Sequence, residues 1–316
     1  MDEPRLSLAG RLDRPVKYEQ TPFVPSVTAN GLQLEYETQG SPQDPALLLV
    51  MGLGAQLTLW PEPFCEMLAG RGFYVIRYDN RDVGLSTKFE DAPPPNVLAA
   101  LAGDTSSAAY TLNDMADDAA ALLDALGIAA AHVVGASMGG MIVQALAIRH
   151  PQRVLSLCSI MSTTGDRSVG QPAPEAMSVL LQPPPASREE AAERRVQGHR
   201  AWGGRGFPVS EDELRLDAVA AYDRSFYPMG IARQLVAIMA SGDRTEALGN
   251  VSAPTLVIHG TDDRLVGPDG GEATAKAVAG AELLLVEGMG HDLPEGAWPE
   301  LVDAIVANSA RARQTT

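Results

Sequence analysis

Apolar residues in this chain recur in short unbroken runs separated by amphipathic stretches. Ala46-Leu47-Leu48-Leu49-Val50 is apolar throughout, which suits a strand buried on both faces. Phe73–Tyr78, Ala131–Val134, Arg153–Met161, Pro254–Ile258 and Ala281–Val286 carry comparable runs. Leu32–Thr38 instead alternates apolar and polar positions, as a half-exposed strand does. Trp60–Ala69, Leu112–Leu126, Met141–Ile148 and Trp298–Asn308 have the spacing of helices. In the second of these, Asp114, Asp117 and Asp118 are expected on the wet side. Strands alternating with helices predict an α/β fold, with a mostly parallel central sheet flanked by helices.

One segment breaks this rhythm. From Asp166 to Gly249 there is no buried-strand run. The segment holds Pro183-Pro184-Pro185, a charged stretch over Arg188–Arg195, and helical patterns at Glu211–Tyr222 and Gly230–Ser241. It reads as a helical insert lying over the carboxyl ends of the strands. The expected organisation is an N-terminal arm (1–25), a core (26–165 and 250–316) and a helical cap (166–249).

Composition narrows the partners. With 316 residues, 45% of them hydrophobic, the chain can build one large core. Lys and Arg number 24 against 40 Asp and Glu, a formal net charge of -16. Such a surface repels phosphate backbones and anionic lipid, so neither a nucleic acid nor a membrane is expected as partner. Cys65 and Cys158 lie in apolar stretches and read as small buried hydrophobes. Met1-Asp2-Glu3-Pro4 is acidic and begins no apolar signal segment. No run reaches the roughly 18 apolar residues of a membrane span. The expectation is a cytoplasmic monomer or homodimer.

The chemistry begins at Gly135-Ala136-Ser137-Met138-Gly139, a G-x-S-x-G sequence between a strand run and a helix run. A serine on so tight a turn is lifted above the sheet edge, and small neighbours avoid clashes. It also sits at a helix N-terminus, which favours developing negative charge. A serine needs a base. Among the five histidines, His132 opens the strand before the turn, at the wrong end of the sheet. His150 closes the following helix, His199 lies in the insert, and His259 ends a strand as a structural or supporting residue. His291, in the glycine-rich Gly288-Met289-Gly290-His291 after the last strand, can reach Ser137 and is the expected base.

The histidine needs a carboxylate to hold its tautomer. Asp262 and Asp263 follow the penultimate strand; Asp263 is favoured, with Asp262 expected to point into the loop. The order Ser, Asp, His is that of the α/β-hydrolases. Oxyanion donors are expected from the backbone N–H of Met138 and from Leu53, in Met51-Gly52-Leu53-Gly54 after the strand Ala46–Val50. Gly52 in that loop, with Trp202, Phe226 and Tyr227 in the insert, are candidate substrate contacts. Asp79 and Arg81, in Asp79-Asn80-Arg81-Asp82-Val83-Gly84-Leu85-Ser86, are expected to brace the oxyanion loop. No phosphate loop, dinucleotide fingerprint or metal-ligand cluster is found, so no cofactor and no metal are expected.

Together these motifs resemble the α/β-hydrolase superfamily from about Asn30 to Asn308, and within it a bacterial esterase branch that includes the aclacinomycin methylesterases. The resemblance implies the α/β-hydrolase fold with a helical cap after the sixth strand, and a cofactor-free serine carboxylesterase using Ser137, Asp263 and His291. The substrate is then a small-molecule ester, apolar or polyketide-like: a methyl ester or a macrocyclic lactone. An acyltransferase or perhydrolase with the same triad is the alternative, and a non-catalytic ligand-binding protein the remote one. Many relatives carry His-Gly where this chain has Met51-Gly52. The backbone donor survives that change, but a histidine side-chain contact is lost.

Overall fold

The computed structural model describes residues 25–312. The expected arm, 1–25, lies outside the described residues except for Pro25. The first elements are an antiparallel hairpin, β1 (Ser26–Ala29) and β2 (Leu32–Gln39). Asn30 and Gly31 turn it at φ 50° and 75°, where an asparagine and a glycine tolerate the left-handed region. β1 is too short to show a period, and the alternation in Leu32–Thr38 marked only its partner.

Then come β3 (Ala46–Val50), α1 (Glu62–Ala69), β4 (Tyr74–Tyr78), α2 (Val97–Leu101), α3 (Leu112–Ala125), β5 (Ala131–Ala136), α4 (Met138–Arg149) and β6 (Val154–Ile160). Five helices follow: α5 (Pro174–Leu180), α6 (Arg188–Trp202), α7 (Glu211–Arg224), α8 (Pro228–Ser241) and α9 (Thr245–Leu248). The chain returns through β7 (Thr255–Gly260), α10 (Pro268–Ala277), β8 (Glu282–Val286) and α11 (Trp298–Ala312). The strands form one sheet ordered β1-β2-β4-β3-β5-β6-β7-β8. β1, β2 and β4 pair antiparallel in turn; every pairing from β4 to β8 is parallel.

The unbroken apolar run in β3 is explained by its two faces. Leu48 and Val50 pack with Val133 against α3 and α4, through Leu122, Leu123, Ile142 and Leu146. Leu47 and Leu49 pack with Val134 against α1 and α11, through Phe64, Leu68, Leu301 and Ile305. Cys65 and Cys158 are free thiols in this second layer, and burial raises the Cys65 pKa to about 11.

Two local expectations need correction. Asp118 is not on a wet face: it is buried, and both its oxygens accept from the Arg81 guanidinium at 2.6 and 2.7 Å. Asp114 makes the capping box at the start of α3, and Asp117 pairs with Arg149. The helix expected from Trp60 begins at Glu62 instead, because Pro61 sits at its N-cap while Trp60 is fully buried in the core.

No strand interrupts residues 166–249, but the five helices there are not equally detached. α8 is tied to the core by Gln234, whose Oε1 accepts from Gly54 N–H at 2.8 Å and whose Nε2 donates to the Arg81 carbonyl at 2.8 Å. Among the described residues, no helix is long and apolar enough to cross a membrane.

Candidate active site

β5 runs into α4 with a single residue between them, Ser137, at φ 56° and ψ -121°. A non-glycine residue held there costs about 1–3 kcal/mol, so the surroundings must enforce it. The Ser137 N–H donates to the Ile160 carbonyl at 2.9 Å, and Ser162 Oγ donates to the Ser137 carbonyl at 2.8 Å. The two glycines allow the close approach. A Cβ on Gly135 would lie 2.1 Å from the Gly139 carbonyl oxygen, and one on Gly139 would lie 2.0 Å from that of Val50.

The parallel strands bring three loops to one edge. Ser137 follows β5, Asp263 follows β7 and His291 follows β8. His291 Nε2 stands 2.9 Å from Ser137 Oγ, and His291 Nδ1 stands 2.8 Å from Asp263 Oδ2. Asp263 is buried, and its Oδ1 accepts from the N–H groups of Leu265 and Val266, each at 2.9 Å. Burial by itself would raise its pKa. The facing His291 charge and hydrogen bonds from His259 and His291 outweigh that and bring it down to about 2. The carboxylate therefore keeps the Nδ1 proton on the imidazole and leaves the Nε2 lone pair toward the serine.

Since the folded pKa of Asp263 lies below the ordinary value of about 3.9, the linkage sign is fixed. The stability it contributes is full above about pH 4 and is lost as pH falls through about 2. Acid titrations of wild type and Asp263→Asn, followed by circular dichroism, should differ in that window. Coincident curves would refute the coupling.

Asp262 faces elsewhere, its Oδ2 accepting from Arg205 N–H at 3.3 Å. Of the other histidines, only His259 shares a partner with His291 among the described residues. His132 Nδ1 meets Ser156 Oγ at 2.8 Å, and His150 Nε2 meets Asp117 at 2.7 Å. His259 Nε2 donates to the Val266 carbonyl at 2.8 Å and lies 3.3 Å from Asp263 Oδ2, so it supports the carboxylate loop. His199 Nδ1 lies 3.5 Å from Asp292, the neighbour of His291.

The loop Met51–Gly54 lies against the serine, with a Cβ on Gly52 only 3.0 Å from that of Ser137. Met138 begins α4, where a first-turn amide has no intrahelical acceptor, and no described residue accepts from the Leu53 N–H. Both residues, and Gly52, line a cavity of about 820 Å³ that also takes in Ser137 and His291. The brace differs in part from expectation. Asn80 Nδ2 donates to the Met51 carbonyl at 3.0 Å, and Gln234 ties Gly54 to the Arg81 carbonyl. Asp79 instead accepts from the N–H groups of Leu57 and Leu85 and from Arg224, while the Arg81 side chain is engaged with Asp118. Asn80 lies inside Asp79–Ser86, the loop from which the brace is expected. Gln234 was legible only as a lone amide in the apolar Leu235-Val236-Ala237 surroundings of a helical pattern.

The cavity roof comes from residues between β6 and β7, including Trp202, Leu214 and Leu235. The Trp202 carbonyl also accepts the His291 N–H at 2.8 Å. Phe226 and Tyr227 are corrections, since neither lines the cavity. Phe226 is exposed and stacks on Tyr222 with ring centroids 4.4 Å apart. The Tyr227 hydroxyl accepts from Arg233 at 3.1 Å. Both sit at the α7–α8 turn, where the chain folds back over the polar Asp79–Asp82 loop instead of over Ser137.

The chain belongs to the α/β-hydrolase fold family, whose model matches residues 45–296. It is 33% identical over 306 residues to a rhodomycin D methylesterase of Streptomyces sp. (strain C5), spanning 90% of this chain and 98% of that protein. The rhodomycin D methylesterase of Streptomyces peucetius is 32% identical over the same shares. Among solved structures, the enol-lactonase of Burkholderia xenovorans superposes with a TM-score of 0.68 at 26% identity, covering 92% of this chain and 100% of that one.

Proposed function

We propose that this α/β-hydrolase is a serine carboxylesterase that cleaves a carboxylic ester, of the methyl-ester class, on an apolar or polyketide-like acyl part. The observation that carries the reading is the unbroken relay Ser137 Oγ, His291 Nε2 and Nδ1, Asp263 Oδ2, at 2.9 and 2.8 Å, opening on a cavity of about 820 Å³. The methyl-ester class rests on the similarity to the two methylesterases.

The steps follow from the atoms. Ser137 Oγ attacks the ester carbonyl carbon while its proton passes to His291 Nε2. The carbonyl oxygen becomes an oxyanion facing the N–H groups of Leu53 and Met138. Collapse breaks the bond to the alkoxy oxygen, which takes the proton from Nε2 and leaves as the alcohol. Water then attacks the acyl-Ser137 ester, again giving its proton to Nε2. Collapse returns that proton to Ser137 and frees the carboxylic acid. Asp263 remains anionic throughout and steadies the imidazolium. Residues 166–249 act as a cap that excludes water and reads the acyl part. The test is a methyl-ester panel with the acid and methanol quantified, and a fluorophosphonate label located by mass spectrometry. A label at Ser137 with stoichiometric methanol supports the reading; label elsewhere, or no acid formed from any ester, refutes it.

Trp202 provides a sharper test of the cap. It covers the cavity with apolar surface, worth roughly 25 cal/mol per Å² removed from water. Trp202→Ala should raise KM for bulky aromatic esters several-fold more than for p-nitrophenyl acetate. Equal effects on both would place bulk recognition in the core loops.

A further inference from the structure

The cavity carries charged groups that the ester chemistry does not use. Arg195, His199 and Trp202 are spaced four and three apart on α6, so one face of that helix turns all three into the cavity. Glu213 and Asp217, four apart on α7, reach it from the neighbouring helix. His199 and Trp202 are engaged with the His291 loop, as described above. Arg195 is not engaged. It is half-buried, and its side chain makes no hydrogen bond or ion pair with any described residue.

The acids around Arg195 do not satisfy it. Asp292 accepts from the N–H groups of Gly290 and Gly204 and meets His199. Glu213 and Asp217 are exposed and beyond ion-pair distance of Arg195; burial raises the Asp217 pKa while the Arg195 charge works to lower it. Burial lowers the Arg195 pKa, while the fields of Asp217 and Asp292 work to raise it. Arg244, another guanidinium of the wall, is different, because it donates to Gln144 and to the carbonyls of Gly242 and Thr163. A guanidinium has five donors and no acceptor. Withdrawing it from water without a partner is unfavourable, and a ligand that supplies an anionic oxygen pair removes that penalty.

We propose that Arg195 is a specificity-determining residue that binds a free carboxylate on the substrate, at the end remote from the scissile ester. The proposal rests on the esterase reading and names the substrate class more narrowly: esters that also carry a carboxylate. Arg195 shares one cavity with Ser137, so a single molecule can meet both.

The test uses p-nitrophenyl monoesters of linear dicarboxylic acids, glutarate to sebacate, each against the uncharged alkanoate ester of the same length. The readout is the ratio of kcat/KM for charged over uncharged probe. Arg195→Ala and Arg195→Gln should lower that ratio about 10-fold or more at the best-fitting length, through KM, as expected for a lost charge-assisted pair. Arg195→Lys should recover part of it. In parallel, Ser137→Ala with and without Arg195→Gln is titrated with the matching monomethyl dicarboxylates, followed by tryptophan fluorescence. Affinity should fall when Arg195 is replaced. If no probe is hydrolysed by the wild type, the esterase reading fails, and the titration alone decides on Arg195. A ratio and an affinity that do not move in the Arg195 variants overturn the proposal, whatever the enzyme hydrolyses.

Discussion

Ser137→Ala, His291→Ala and Asp263→Asn should each lower kcat by roughly 10³-fold or more, and pairs of these changes should cost little beyond the worst single one. The reason is that, in the proposed mechanism, the three groups move one proton. Without Ser137 there is no acyl acceptor, and without His291 the serine keeps its proton. Asp263→Asn fills the same volume but reverses the hydrogen bond. An amide N–H facing Nδ1 would place the imidazole proton on Nε2, pointing it at Ser137 Oγ, 2.9 Å away. Asparagine is the informative change, because alanine would also strip the acceptor that holds the Leu265 and Val266 N–H groups. Asp262→Asn should be far milder, since among the described residues that side chain accepts only from the Arg205 amide. In the wild type, Asp263 stays anionic down to about pH 2, so its protonation should not limit kcat/KM above that pH. Stopped-flow release of p-nitrophenol across pH tests both parts. Near-wild-type turnover in His291→Ala, or Asp262→Asn proving the more damaging, would remove the relay from the mechanism.

The three residues of the proposed relay were legible in the sequence because each sits next to a pattern that is itself local. A buried strand run ends, a polar residue follows within a few positions, and parallel strands bring those ends together. The choice of Asp263 over Asp262 follows the same logic, with the carboxylate turned back toward β7 and its backbone amides. What the sequence did not disclose depends on side-chain reach between distant segments. The partner of Arg81 is Asp118, 37 positions away, on a helix face that polarity alone marks as wet. The Gln234 bridge to Gly54 spans 180 positions. The insert was hardest to read, because its helices pack on one another and on the loops below. α6 and α7 are charged along much of their length, and no apolar stripe shows which face meets the cavity. For that reason the aromatic identity of Phe226 and Tyr227 does not say which surface they meet.

Gly139→Ala is the substitution expected to couple fold and chemistry most strongly. The added methyl would sit 2.0 Å from the Val50 carbonyl oxygen, 2.6 Å from its carbon and 2.9 Å from the Met51 carbonyl oxygen. These are backbone atoms at the end of β3, so no side chain can swing aside. Relief requires α4 to withdraw from β3, or the Val50–Met51 peptide to shift, by on the order of 1 Å to restore ordinary contact. Overpacking of this kind costs about 1–3 kcal/mol of stability. The shift falls where Met51 leads into Leu53 and where Ser137 leads into α4 at Met138, so it moves both proposed oxyanion donors relative to the serine. A misplacement of about 1 Å at reacting groups can cost roughly 10²-fold in rate. Gly127→Ala is the matched control. Gly127 follows α3 at φ 71° with nothing within 4 Å of its added Cβ. That change should cost about 1–2 kcal/mol from backbone strain alone and leave kcat near wild type. Chemical denaturation and steady-state kinetics on the two variants separate the effects. If Gly139→Ala loses stability but keeps its rate, the close approach of α4 to β3 serves the fold only, and the donors are aligned by Asn80 and Gln234 instead.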